Sequence, residues 1–282
     1  YYSGAPVNGQ NTYRISGHRG NARYFAITVL EDGPGPWGGG VIGSLINEEV
    51  KLKVDGTFEL ILSPEPRPEG FEGNWIHTTP NTFRITFREF FADWNGEQKM
   101  SAFIERLNQI NHNPNLTVTD MEKGLLDAAE WVKRSTNYWA DMLDKWQAKP
   151  NNFLHYGQLD DSDIDYTPNG APLISYWRLP KEEVIVVRVF PPNASYWAVE
   201  FGNYWWETMD YRNRLTNTNM HYAELEDDGE LIVVISHKDT GHPNWMDTSG
   251  HEEGYITYRW IGADDYPVPQ AHQMKLSALQ DY

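Results

Sequence analysis

The sequence predicts a mainly β fold of two packed antiparallel sheets, sandwich-like or jelly-roll-like, with a helical insertion at about residues 97–149. Short alternating runs of apolar and polar residues, separated by Gly, Pro and Asn, lie before and after the insertion, as is typical of strands and turns. Within the insertion the hydrophobic period changes to that of a helix. With 282 residues, 40% of them hydrophobic, the chain can form one large β domain or two modest ones, and we predict a single domain.

Four strands are predicted in the first part of the chain, at residues 12–16, 23–30, 57–62 and 83–91. The third strand follows an Asp55-Gly56 pair, which is a common hairpin turn. In the fourth, Phe83, Ile85 and Phe87 alternate with polar residues, so one face is expected to be buried and the other exposed. This part of the chain is therefore expected to form hairpins.

The insertion is predicted to contain two helical segments, at residues 97–107 and 119–146. In the second segment, residues suited to an inward face recur at alternating steps of four and three: Leu125, Ala129, Val132, Thr136, Trp139, Leu143 and Trp146. Thr119 and Glu122 have the spacing of a capping box at its start. This row of residues predicts packing on a sheet, and self-association as a coiled coil is the alternative.

Strands are predicted again after the insertion, at residues 183–190, 195–202, 220–226, 230–235 and 255–260. An Asp228-Gly229 pair joins the third and fourth of these strands in a hairpin. The first is almost continuous Val and Ile, which indicates burial on both faces, but Arg188 interrupts it. A buried guanidinium needs a carboxylate or several acceptors, so Arg188 is either half of a structural ion pair or an anchor for a ligand.

The chain is acidic and contains no Cys. Its formal net charge is −17, from 23 Lys and Arg against 40 Asp and Glu, which argues against nucleic acid or an anionic membrane as a partner. Without Cys there is no disulfide framework, thiolate metal site or Cys nucleophile. The composition predicts a soluble protein and leaves the periplasm, the cytoplasm and secretion open. The opening at Tyr1, without Met, predicts that part of a longer precursor is missing from the N-terminus.

Residues 236–260 contain most of the candidate chemistry, on a loop between two predicted strands. The polar side chains of interest are His237, Asp239, His242, Asp247, His251 and Arg259. If the first strand continues, His237 and Asp239 lie on one face, where a carboxylate can orient an imidazole. In the next strand, Tyr255, Thr257 and Arg259 alternate onto one face.

One hypothesis is therefore an enzyme, a hydrolase or lyase that acts on a hydroxylated small molecule such as a glycoside or a steroid-like compound. His237 is its general acid or base, Asp239 orients His237, and His251 is the second proton carrier. Arg259 or Arg214 stabilises developing negative charge. The alternative is that these polar side chains cap turns and bind loop amides, as short polar side chains usually do.

A second hypothesis is a non-catalytic module that binds a carbohydrate or another small ligand. Residues 204–221 and the neighbouring loop supply rings for stacking and groups that bind hydroxyls or an acid. The candidate binding residues are Trp205, Trp206, Tyr211, Arg212, Arg214, Asn219, His221 and Trp245. An aromatic-rich β core is the alternative for the same rings. A third hypothesis is a structural or assembly subunit whose Trp-rich surfaces are buried in a homo-oligomer.

No cofactor is predicted, and the indications for a metal are weak. His237, His242 and His251 are separated by five and nine residues, which matches no compact zinc motif. Asp161, Asp163 and Asp165 have the spacing of an oxygen-rich calcium loop, but Tyr166 stands where an EF-hand needs Gly. Calcium binding and a solvated acidic loop both remain open for this segment.

Two long segments resemble the bacterial family catalogued as domain of unknown function 1214. Residues 203–260 carry the stronger likeness, in NYWWETMDYRNR and in TNMHYAELEDDGELIVVISHKDTGHPNWMDTSGHEEGYITYRW. A weaker likeness covers residues 1–30, which begin YYSGAPVNGQNTYRISGHRGNARYFAITV. The resemblance implies a β-rich, sandwich-like or jelly-roll-like architecture, and it implies further residues ahead of this start. It brings no assigned reaction and no catalytic residues.

Overall fold

The computed structural model describes residues 1–33, 35–108, 115–155 and 167–281. Strands form most of the regular structure of these residues, so the mainly β prediction is confirmed. The chain divides into two compact units. Among the described residues, the N-terminal unit contains 1–138 and 167–168, and the C-terminal unit contains 139–155 and 169–281. Each unit has its own sheets and core, and the grouping of all strands in a single domain stays a prediction.

The described part of the N-terminal unit contains eight strands in two sheets. The strands are β1 (Tyr2–Pro6), β2 (Tyr13–His18), β3 (Tyr24–Glu31), β4 (Val41–Ile46), β5 (Thr57–Ser63), β6 (Asn74–His77), β7 (Thr82–Phe90) and β8 (Ser101–Arg106). One sheet has the order β1-β7-β3-β4 and the other β6-β5-β2-β8. A single hydrophobic cluster takes side chains from both sheets, including Ile15, Phe25, Leu60 and Phe87, so the sheets pack face to face.

The C-terminal unit has the same architecture, with nine strands among its described residues. They are β9 (Leu154–His155), β10 (Gly170–Arg178), β11 (Glu183–Val189), β12 (Ala194–Asn203), β13 (Asn217–Asn219), β14 (Leu231–Ser236), β15 (Trp245–Asp247), β16 (Glu253–Ala263) and β17 (Gln270–Lys275), followed by a 3-10 helix (Leu276–Asp281). The sheet orders are β13-β12-β16-β10-β9 and β15-β14-β11-β17. Trp177, Phe201 and Trp260 of the first sheet share a core with Ile185 and Val233 of the second.

The α-helix α1 (Val118–Gln147) is capped two residues earlier than the sequence predicts. The Thr117 hydroxyl accepts a hydrogen bond from the Asp120 amide at 3.2 Å, and the Thr117 amide donates to the Asp120 carboxylate at 2.9 Å. The predicted pair Thr119 and Glu122 therefore does not form the cap, because Thr117 and Asp120, with Asp in place of Glu, complete the box two residues earlier. Among the described residues, no helix is long and apolar enough to span a membrane.

The prediction of a helix at residues 97–107 is wrong, because this segment contains β8. β8 pairs antiparallel with β2, with Phe103 opposite Ser16 and Ile104 opposite Ile15. A segment of six residues is too short for its hydrophobic period to separate a helix from a strand. Backbone pairing with the edge of β2 decides the conformation here.

The prediction of a hairpin over residues 220–235 is right for its turn and second strand but wrong for its first strand. Gly229 has a φ of 88°, and the Glu226 amide donates to the Glu230 carbonyl at 2.8 Å. Residues 220–226 form no strand, because the side chain of Asn244 lies between them and β14. Its amide donates to the carbonyls of Glu224 at 2.6 Å and Ile232 at 2.9 Å, so it replaces direct pairing.

Candidate functional site

His237 is half-buried, and both nitrogens of its ring are used in hydrogen bonds. Nε2 lies 2.9 Å from the Leu179 carbonyl oxygen, and Nδ1 lies 2.8 Å from the hydroxyl of Thr248, which is fully buried. Because a carbonyl only accepts, Nε2 carries a proton and donates it to Leu179, while Nδ1 and the Thr248 hydroxyl share the second hydrogen bond. The imidazole therefore joins two loops and is oriented by a hydroxyl and a backbone carbonyl.

Asp239 and His251 do not extend this arrangement. β14 ends at Ser236, whose hydroxyl donates to the Lys238 carbonyl at 2.5 Å, so the condition that would place His237 and Asp239 on one strand face is not met. The Asp239 carboxylate instead accepts from the Gly241 amide at 2.8 Å, and in the described part of the chain it makes no hydrogen bond to His237. His251 is exposed. The acid-base roles of these three residues stay predictions.

Arg214 is paired with a carboxylate of the neighbouring loop. Its Nη1 lies 2.7 Å from Asp247 Oδ2, and the second oxygen of Asp247 accepts from the Ser249 amide at 2.8 Å. The Asp247 amide also donates to the Leu215 carbonyl at 2.7 Å. These bonds tie the loop that carries Arg214 to the end of β15.

His242 closes a local turn. Its Nδ1 accepts from the Asn244 amide at 3.1 Å. Burial lowers the pKa of His242, and the charges of Glu226 and Glu224 oppose this shift. Within the described ranges, no group of three or more His, Asp or Glu side chains is placed to hold a metal ion. The predicted calcium loop at Asp161, Asp163 and Asp165 lies outside the described residues.

The predicted alternation of Tyr255, Thr257 and Arg259 onto one face of β16 agrees with the strand register. Tyr255 lies opposite Tyr176 of β10 and opposite Gly202 of β12, and the intervening Tyr258 belongs to the hydrophobic core. This sheet therefore has a core face and a second face that carries polar and aromatic side chains. This second face carries the side chains of Tyr255, Thr257 and Arg259.

A network of three side chains, absent from the sequence predictions, lies at the end of this second face. The Tyr176 hydroxyl donates to the Glu253 carboxylate, and Arg178 donates to the same oxygen through Nε at 3.0 Å and Nη2 at 2.8 Å. Burial and the Glu253 hydrogen bond raise the pKa of Tyr176 to about 12. The hydrogen bond from Tyr176 lowers the pKa of Glu253, so its carboxylate is ionised at neutral pH.

Trp206 fills the same face with stacked rings. Its ring centroid lies 3.9 Å from Tyr255, 4.4 Å from Trp139 and 5.0 Å from Trp146, with interplanar angles of 24°, 17° and 29°. Trp206 has a φ of 63°, in the left-handed region that bulky residues rarely adopt. A Cβ at Gly202 would lie 2.0 Å from the Tyr255 ring, so glycine leaves room for this stack. Three protein rings therefore contact the Trp206 indole, and its predicted role in binding stays a prediction.

Trp205 differs from its neighbour because 74% of its surface is exposed. The loop that carries it is held by Asn203, a buried residue whose side-chain oxygen accepts from the amides of Trp205 at 3.0 Å and Glu207 at 3.1 Å. The Asn203 amide group donates to the Glu207 carboxylate at 2.8 Å, and the Tyr204 ring packs edge-on to Trp205 at 5.0 Å. The exposed indole of Trp205 is thus carried by a loop that hydrogen bonds to Asn203 hold in place.

The other predicted binding residues divide into exposed and packed groups. Tyr211 is 44% exposed with the Arg212 guanidinium 5.9 Å from its ring, and His221 is exposed against the ring of Tyr222. Two others make hydrogen bonds within the chain, and their predicted role in binding stays a prediction. Asn219 is buried and accepts from the His221 amide at 2.8 Å, and Trp245 Nε1 donates to the Ser236 hydroxyl at 2.9 Å.

Comparison with known proteins agrees with the resemblance in both halves of the chain. A family model described as "Protein of unknown function (DUF1214)" matches residues 2–93 and 184–265. The chain belongs to the DUF1214 family. The matched segments of this DUF1214 protein contain Trp205 and the loop of His237, and residues 94–183 between them contain α1. None of the curated proteins matches this chain.

Two solved structures show the same fold. The crystal structure of an uncharacterized protein from Burkholderia cenocepacia has 31% sequence identity and a TM-score of 0.90, and the match covers 98% of this chain and 76% of that one. The VPA0106 protein from Vibrio parahaemolyticus has 11% identity and a TM-score of 0.56, with coverage of 98% and 89%. At 11% identity the second likeness concerns the fold alone.

Proposed function

We propose that this DUF1214 protein is a non-catalytic binding module for a hydroxylated small molecule, in particular a short carbohydrate that stacks on Trp205. The observation that carries the proposal is the 74% exposure of an indole whose loop is bonded at Asn203. Exposing apolar surface costs about 25 cal/mol per Å² in water, so a ligand that covers this ring recovers part of that free energy. A ring on a preorganised loop also loses little conformational entropy on binding.

The chemistry around Trp205 suits a sugar. An indole offers a flat apolar surface to the C–H face of a sugar ring. Exposed polar side chains of the same loop, among them Glu207, Thr208 and Arg212, offer acceptors and donors for hydroxyl groups. Tyr211 adds a second exposed ring in this loop.

The contacts of the candidate catalytic residues favour binding over the hydrolase or lyase alternative. His237 uses both ring nitrogens for Leu179 and Thr248, and Asp239 bonds to a backbone amide in its own turn. General acid-base catalysis needs a group with a titratable proton directed at the substrate. A binding module needs only an accessible ring and nearby polar groups.

The experiment is calorimetric titration with a panel of soluble oligosaccharides built from glucose, mannose, galactose and N-acetylglucosamine. The wild type is compared with Trp205→Ala and with the control Trp37→Ala, which removes another exposed indole, 46% exposed, from the N-terminal unit. We expect Trp205→Ala to weaken binding about tenfold, at the upper end of what an aromatic contact contributes, and Trp37→Ala to leave it unchanged. The proposal is wrong if the wild type binds no oligosaccharide of the panel. It is also wrong if Trp205→Ala binds as tightly as Trp37→Ala.

A further inference from the structure

We propose that α1 is a self-association surface, through which two copies of the chain pair antiparallel over residues 118–132. The inference starts from a row of side chains on one side of the helix, spaced alternately by three and four residues: Val118, Met121, Leu125, Ala128, Val132, Ser135, Trp139, Met142 and Trp146. We call this row the α1 seam. Such spacing is the pattern of helix pairs in coiled coils.

The last third of the α1 seam is already packed. Met142 and Trp146 are each 2% exposed, and Trp139 stacks on Trp206. This part of the helix belongs to the C-terminal unit. The side chains of the α1 seam therefore form apolar contacts where the chain covers them, and only part of the length of the seam is covered.

The first half of the seam is exposed. Val118 is 86% exposed, Met121 52%, Leu125 69% and Val132 56%. Leu126, next to the seam, is 66% exposed. A continuous apolar row of this kind on a surface helix marks an interaction site rather than scattered surface residues.

Two hydrogen bonds hold α1 in an orientation in which the first half of the α1 seam is exposed. Trp131 Nε1 donates to the Pro36 carbonyl at 3.0 Å, and Arg134 Nη1 donates to the Gly33 carbonyl at 3.0 Å. Both bonds lie within the N-terminal unit, which includes residues 118–138 of α1. The seam residues Leu125 and Val132 remain on the exposed surface.

Charge favours a second copy as the occupant. The chain carries −17, which opposes self-association through most of its surface. Residues 118–137 hold four acidic and three basic side chains, a net charge of −1, so repulsion between two copies is small here. Of the positions that flank the seam between residues 122 and 131, Glu122 is charged, whereas Gly124, Ala129 and Trp131 are neutral.

The distribution of these charges selects the antiparallel arrangement. Residues 118–124 carry a net charge of −1, from Asp120, Glu122 and Lys123, and residues 130–134 carry a net charge of +1, from Glu130, Lys133 and Arg134. Antiparallel pairing brings the acidic end of one copy toward the basic end of the other, whereas parallel pairing brings like charges together. Antiparallel pairing also sets the macrodipoles of the two helices in opposite directions, which is favourable. The exposed seam is about 21 Å long, which fits a weak dimer with a Kd in the roughly micromolar range.

Sedimentation tests the association. We expect the wild type to form a dimer as its concentration rises, Leu125→Glu to remain monomeric, and the control Val54→Glu, at an exposed apolar residue outside the helix, to behave as the wild type. Circular dichroism shows whether Leu125→Glu keeps its fold, which its exposed position favours. A wild type that is monomeric up to about 1 mM, or a Leu125→Glu variant that dimerises equally well, overturns the proposal.

Disulfide trapping tests the direction of pairing without background, because the chain has no Cys. Val118→Cys and Val132→Cys are prepared separately, then mixed and oxidised. Antiparallel pairing predicts a crosslink between the two variants and little crosslinking of Val118→Cys with itself. Val118→Cys that crosslinks mainly with itself would show a parallel pair and overturn the antiparallel arrangement.

Discussion

Tyr176 donates a hydrogen bond to the Glu253 carboxylate from a neighbouring antiparallel strand, although 77 residues separate the two in the chain. Arg178 lies two residues after Tyr176 in β10, on the same face, and donates to the same carboxylate oxygen. The three side chains form a polar end to the sheet face on which Tyr255 stacks with Trp206. Their contacts make the pH dependence of stability a direct test of the register between β10 and β16.

Replacing Tyr176 by Phe is expected to raise the pKa of Glu253 toward its ordinary value of 4.5, since the Tyr176 hydrogen bond is the main cause of its lowering. A carboxyl with a lowered folded pKa stabilises the protein above its unfolded pKa and loses that contribution as the pH falls through the folded pKa. The variant should therefore be about 1 kcal/mol less stable near pH 7, allowing for the partial exposure of Glu253.

Urea unfolding at a series of pH values checks this prediction. The difference in free energy of unfolding between wild type and Tyr176→Phe should be largest above pH 4.5 and should shrink as the pH falls below it. A difference of constant size down to about pH 3 would show that the hydroxyl acts through packing rather than through the ionised carboxylate.

His237→Ala is expected to lower the free energy of unfolding by about 1–3 kcal/mol, because it removes two hydrogen bonds and leaves the buried Thr248 hydroxyl without this hydrogen-bond partner. His251→Ala, at an exposed position of the same loop, is the control and should change stability by less than about 0.5 kcal/mol. Chemical denaturation measures both. Equal, small effects would mean that His237 is not structural and would return weight to its predicted acid-base role.

Arg188 and Glu230 form the structural ion pair that the sequence offered as one of two alternatives. Arg188 donates to the Glu230 carboxylate through Nε at 3.0 Å, and the Glu230 side chain is 11% exposed. A double-mutant cycle with Arg188→Met and Glu230→Gln should give a coupling free energy of about 1–2 kcal/mol, between the values for surface and buried pairs. A coupling near zero would leave the ligand-anchor interpretation of Arg188 in place.

Gly202→Ala is expected to disrupt the stack of Trp206 on Tyr255. The added methyl group would meet the Tyr255 ring at 2.0 Å, so the ring must move, at a cost of about 1–3 kcal/mol. Near-ultraviolet circular dichroism should change at the same time. Gly124→Ala in α1 is the control, because no atom lies within 4 Å of its new methyl group, and it should stabilise the helix by about 0.5–1 kcal/mol.

The local pattern of apolar and polar residues was sufficient to predict the strands that pair regularly with their neighbours in the sheet. The alternation of Tyr255, Thr257 and Arg259 gave the faces of β16 correctly, and the Val- and Ile-rich run gave β11. Two short segments failed. Residues 101–106 became β8 because an edge of β2 was available, and residues 220–226 lost their strand to the side chain of Asn244. Neither cause is visible within the segment itself.

The candidate residues show the same division. Composition and local spacing identified the loop of His237 and the aromatic loop of Trp205, because clusters of rare residue types are properties of the sequence. Whether a ring is available depends on what packs against it. Trp205 and Trp206 are adjacent and chemically identical, yet one is 74% exposed and the other stacks on Tyr255.

By itself, the sequence determined the mainly β class, the long helix, the charge and the position of the polar loops, because each depends on residue types and on short-range periodicity. Only the tertiary structure decided the partners: Thr248 for His237, Glu253 for Tyr176 and Asp247 for Arg214. Strand register and loop packing bring together residues far apart in the chain, and a hydrogen bond forms only where both groups meet. For the same reason, only the folded chain distinguishes the covered third of the α1 seam from the exposed half.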